Sequence, residues 1–109
     1  MGRMVASDIP ELADLASAKG ALAKLWRARQ FHDAAILAAK AMALWPEDAE
    51  FRTQYAKSLL AAGALIEAEA AAREALLLLP ESEDLWIVLA DSLIRRERKH
   101  ETVDSLAEA

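Results

Sequence analysis

The chain has 109 residues, with 18 acidic against 13 basic side chains and a formal net charge of −5. That length fits one small domain, and the negative balance repels a phosphate backbone, so nucleic acid is not an expected partner. With no cysteine there is no disulfide framework, thiolate metal site or cysteine nucleophile, and no stretch nears the ~20 apolar residues of a membrane span, so no membrane insertion is expected.

Residues 1–8 read as a disordered N-terminus that lacks the apolar core of a signal peptide, so a cytoplasmic location is expected. Residues 9–109 read as a single domain. Its first helix is expected over Ile9 to Ala28, with Asp8 as cap and Pro10 in the first turn, where a missing N–H costs little. A second is expected over His32 to Leu44 and ends at Pro46, because a proline there clashes with the preceding turn. The third, Asp48 to Ala62, stops at Gly63, which takes a left-handed backbone freely. The fourth, Ile66 to Leu78, is ended by Pro80, and the fifth runs from Ser82 to about Glu97. A sixth, shorter helix is expected from His100 onward. Asp48 and Ser82 are good N-caps, and Glu50, Glu83 and Asp84 suit the positive ends of their helices.

A repeat organises these elements, with a period equal to the step from Pro46 to Pro80. It superposes Leu25 on Leu59, Ala34 on Ala68, Ala38 on Ala72, Ala41 on Ala75, Leu44 on Leu78 and Pro46 on Pro80. A third copy keeps Ala90, Ser92 and Leu93 over Ala56, Ser58 and Leu59 and then loses the pattern. The repeats fall at about 15–48, 49–82 and 83–109, two full copies and one partial or degenerate one.

The stretch "WIVLADSL" (Trp86, Leu89, Ala90, Leu93), with Ala34, Ala41 and Pro46 and then Ala68, Ala75 and Pro80, resembles the tetratricopeptide repeat. The departures are Ala18 and Arg52 in place of the signature tryptophan, Ala38 and Ala72 in place of its phenylalanine, and Arg29 where the second copy has Gly63. The resemblance implies an all-α, right-handed α-solenoid of stacked helical hairpins. It also implies a concave groove lined by the first helix of each hairpin, which in that family holds a peptide. Carried over by position, the groove residues are Lys19, Ala23, Trp26 and Arg27, then Thr53, Lys57 and Leu60, then Ile87, Asp91, Ile94 and Arg95. The asparagines of the family's carboxylate clamp are missing, and Asp84 and Asp91 would repel an acidic C-terminus.

Trp26, Leu60 and Ile94 form one apolar stripe at this period, each directly after a leucine: Leu25, Leu59 and Leu93. Neighbouring residues on a helix point ~100° apart, so one set packs inward and the other is left for a groove or a neighbour. Whether Trp26 is groove or core stays open at this point, as does whether the run Leu76 to Leu79, matched by Trp45 beside the first proline, packs locally or meets a partner. Nothing marks an enzyme: His32 and His100 lie two periods apart, no phosphate loop or zinc motif occurs, and no cofactor is implied. The expected function is a non-enzymatic adaptor or chaperone that holds a peptide or amphipathic helix of a protein partner. The alternative is a homodimer or other structural module, or a non-catalytic subunit of a larger assembly.

Overall fold

In the computed structural model, which describes residues 13–108, each half of the repeat unit becomes one helix: α1 Leu15–Arg27, α2 Phe31–Leu44, α3 Ala49–Ala61, α4 Leu65–Leu78 and α5 Glu83–Glu108. The described residues hold no strand, and the fold is all-helical. The boundaries themselves repeat. Both ends of α1 recur one period later in α3, both ends of α2 recur in α4, and α5 starts one period after α3.

The turns repeat for identifiable reasons. Between α1 and α2 the Gln30 amide donates to the Leu25 carbonyl, and between α3 and α4 Ala64 donates to Leu59 in the same way. Both turns need a left-handed residue, Gly63 at φ 83° and Arg29 at φ 60°. Arginine here bears a strain that glycine avoids. At the other joint, Trp45 and Leu79 close α2 and α4 just before Pro46 and Pro80, so the chain breaks at each proline as expected. Asp48 and Ser82 then cap α3 and α5, accepting from the amides of Glu50 and Leu85.

Two expectations are corrected. Helix α1 starts at Leu15, not Ile9: Ala13 and Asp14 are non-helical, and the Asp14 carboxylate accepts the Ser17 amide at 2.7 Å as N-cap. The expected start at Asp8 to Pro10 lies outside the described residues, as does the expected disordered segment 1–8. No separate sixth helix forms at His100 either. Helix α5 runs on for 26 residues, since nothing from Glu83 to Glu108 is a glycine or proline that could turn it back.

Each helix packs on the next in sequence, and α3 also packs on α5, a pattern compatible with stacked hairpins. The core has two clusters. One joins α1, α2 and the start of α3 through Ala18, Leu22, Ala34, Ala38, Ala41 and Phe51. The other joins α3, α4 and α5 through Ala56, Leu59, Ala68, Ala72, Leu85 and Val88. Among the described residues nine of the sixteen buried apolar ones are alanine, so the helices approach closely and the alanines at positions 38 and 72 fill the contact by themselves.

Candidate functional site

Helices α1, α3 and α5 share one side of the molecule and leave a trough between them. Its first part is a hollow of about 350 Å³ between α1 and α3, lined by Leu22, Ala23, Trp26 and Gln54 among others. Its second is a hollow of about 210 Å³ between α3 and α5, lined by Leu60, Ala61, Ile87 and Val88 among others. Trp26 and Lys57 line both, so the two are continuous.

Most of the residues assigned by position meet here. Lys19, Ala23, Trp26, Arg27 and Lys57 border the first hollow, and Leu60, Ile87 and Arg95 border the second. Thr53, Asp91 and Ile94 line neither. Asp91 instead accepts the Arg95 guanidinium at 3.1 Å along the same helix, and Ile94 is half-exposed beside the trough. Leu22, Gln54 and Val88 were not foreseen. Gln54 and Val88 occupy one station of the repeat in successive copies, and that spacing was the signal that could have found both.

Trp26 turns out to be both wall and strut. Its indole Nε1–H donates to the buried Ser58 hydroxyl at 3.0 Å, and its ring meets Phe31 edge-on at 4.7 Å. It therefore ties α1 to α3 while its remaining face borders the trough. At the other end of the α1–α3 hollow, Lys19 bridges Glu50 at 3.0 Å and Asp48 at 3.2 Å. Hydrogen bonds to Glu50 and Asp48 hold the Lys19 ammonium above its ordinary pKa, so it stays charged but paired. The cations left to meet a ligand from the trough are Arg27 and Lys57, with Arg95 shared with Asp91, and Glu50 and Asp84 face them as anions.

The inward-or-outward choice for the paired apolar residues is resolved differently along the chain. In α3, Leu59 is buried and Leu60 half-buried, while in α5 both Leu93 and Ile94 are exposed. Trp45 stacks on Phe51 at 5.8 Å, so its role is local packing. In the leucine run, Leu76 is buried, Leu79 half-buried, and Leu77 and Leu78 point to solvent. Among the described residues no cluster of three or more His, Asp and Glu could hold a metal ion, and no helix is long and apolar enough to cross a membrane. A scan against protein-family models and searches of curated proteins and of solved structures give no match.

Proposed function

We propose that this chain is a short, right-handed stack of tetratricopeptide-like hairpins that acts as a non-enzymatic adaptor or chaperone, holding a segment of a partner protein in the α1–α3–α5 trough. The observation that carries this is the continuity of the two hollows through Trp26 and Lys57, with an apolar floor of Leu22, Leu60, Ile87 and Val88 between charged rims. Such a floor suits an amphipathic helix or extended peptide with apolar anchors about one helical turn apart. The mixed signs of Arg27, Lys57 and Arg95 against Glu50 and Asp84 favour a ligand carrying both charges and set its register.

The test is a screen of a displayed peptide library against the wild-type chain, followed by affinities for Ile87→Glu and Lys57→Glu. Ile87 is 62% exposed, so placing a carboxylate there leaves the fold intact while setting an unpaired charge against an apolar anchor. Selected peptides should lose about tenfold or more in affinity to Ile87→Glu, with an unchanged melting temperature. Peptides that bind both variants as tightly as wild type would place the binding surface elsewhere.

A further inference from the structure

The two ends of the stack are built differently. Each odd-numbered helix has a trailing face, on the side of the helix that follows it, and a leading face about a quarter-turn round from it. On α3 the trailing face is Arg52, Tyr55, Ala56 and Leu59, and α4 covers it: Ala56 is 0% and Leu59 7% exposed. The same stations on α5, one period later, are Trp86, Leu89, Ala90 and Leu93. No helix follows α5 among the described residues, and there Leu93 is 40% and Trp86 52% exposed and Ala90 lies open, while Leu89 is buried in the core shared with α3 and α4. The leading face shows the reverse. Phe51 and Ser58 on α3, and Leu85 and Ser92 on α5, are buried at stations where α1 carries Ser17 and Lys24, both exposed. At these stations the described front end is polar, although beside them Ala21, Leu25 and Leu37 line a hollow of about 720 Å³ with Ser17 and Lys24, so the two ends differ in both polarity and shape.

We propose that the trailing face of α5 is a two-fold interface, on which α5 pairs antiparallel with α5 of a second copy. An isologous contact needs a face that complements itself, and this one does. With the axis between positions 89 and 90, Trp86 lies opposite Leu93 of the second copy and Glu83 opposite Arg96, since each pair of positions sums to the same value, and the two exposed Ala90 residues meet beside the axis. Glu83, at the acidic start of α5, thereby meets Arg96 of the other copy, and the helix dipoles oppose. Arg96 already pairs with Glu69 of α4, which holds its guanidinium close to this face. A contact made by one helix from each copy is small, so the dimer dissociates in the micromolar range and exchanges freely.

The experiment is sedimentation velocity on the full chain from micromolar to submillimolar concentration, with non-reducing gels of two single-cysteine variants, the native chain having no cysteine. Ala90→Cys should form a covalent dimer on mild oxidation. Glu83→Cys should not, because antiparallel pairing about this axis sets the two copies of residue 83 about 20 Å apart along the helices. Leu93→Arg, on an exposed site that leaves the monomer folded, should raise the dimer dissociation constant about tenfold or more. A monomer at every concentration overturns the proposal, and removing residues 1–12 then tells a face covered by the chain's own start from a bare one. Cross-linking through both cysteines, an open series of larger species, or a dimer indifferent to Leu93→Arg each overturn it too.

Discussion

Trp26 and Ser58 are joined across the trough, and a double-mutant cycle measures what that tie is worth. Trp26→Phe keeps an aromatic ring against Phe31 but removes the Nε1–H that reaches the buried Ser58 hydroxyl at 3.0 Å. A net hydrogen bond contributes about 1 kcal/mol and the smaller ring leaves a void worth about as much again, so the variant should lose about 2 kcal/mol. Ser58→Ala frees an indole that is only half-buried and can turn to water, and alanine gains a few tenths in helix propensity, so its cost is about 1 kcal/mol or less. The double variant should fall short of the sum by about 1 kcal/mol, the energy of the shared bond. Ser92→Ala is the control. Ser92 stands one period later and is equally buried, but its station partner is Leu60, which can donate nothing, and its hydroxyl donates to the carbonyl of Leu89 in its own helix. Such back-bonding slightly destabilises a helix, so Ser92→Ala should change stability by about 0.5 kcal/mol or less. Urea unfolding followed by far-ultraviolet circular dichroism at constant m gives all four values. A coupling indistinguishable from zero, or a Ser92→Ala cost equal to that of Ser58→Ala, would refute the assignment of Trp26 as the strut between α1 and α3.

Arg29→Gly should stabilise the fold by about 1 kcal/mol by relieving a left-handed backbone at φ 60°, and Gly63→Ala should destabilise it by a similar amount although nothing lies within 4 Å of the new Cβ; chemical denaturation checks both. Ala72→Phe should destabilise by about 1–3 kcal/mol because Ala72 is fully buried where α4 meets its neighbours; a rise in melting temperature would contradict the close approach. The Ser17 amide, as hydrogen-bond donor, holds the Asp14 carboxyl below its ordinary pKa, and Arg73 first and Arg96 next do the same for Glu69. For groups depressed in the folded state the stabilisation is complete above the unfolded carboxylate pKa and is lost as pH falls through the folded one. The melting temperature should therefore drop on acidification below about pH 4, and less so in Asp14→Ala.

The sequence period and its punctuation carried most of the fold. Prolines, glycine and caps act locally, so Pro46, Pro80, Gly63, Asp48 and Ser82 mark their joints without help from tertiary contacts. Where local signals compete, the sequence was ambiguous. Asp8 and Asp14 both precede apolar, helix-forming stretches, and the sequence does not say that α1 begins at Asp14, whose carboxylate caps it. At the far end, the expected break at His100 rested on the repeat alone, and the period has no force where no glycine or proline enforces it. Among the trough residues, spacing placed Ile87 and Lys57 because side-chain direction on a helix follows position. It could not foresee that Lys19 would be held by Asp48 and Glu50, or that Trp26 would find Ser58, since each depends on how two separate helices lie.

The alanine-rich core explains why so much large apolar surface remains outside. Helix contacts lined by Ala34, Ala38, Ala41, Ala68, Ala72 and Ala75 bring backbones too close to admit leucine or isoleucine, so those side chains are displaced to the flanks: Ile36 and Leu44 on α2, Ile66, Leu77 and Leu78 on α4, and Ile87, Leu93 and Ile94 on α5. Buried alanine removes little area from water, so each hairpin contributes little stability of its own and depends on its neighbour. Helix α5 has no following helix to pack on among the described residues, which leaves it with apolar side chains on both the trough side and the trailing side. Anything that binds either face binds only the folded chain and must raise its stability in proportion to the logarithm of its concentration over its dissociation constant. A peptide in the trough and a second copy behind α5, as proposed, should therefore each raise the melting temperature, through two surfaces of one helix.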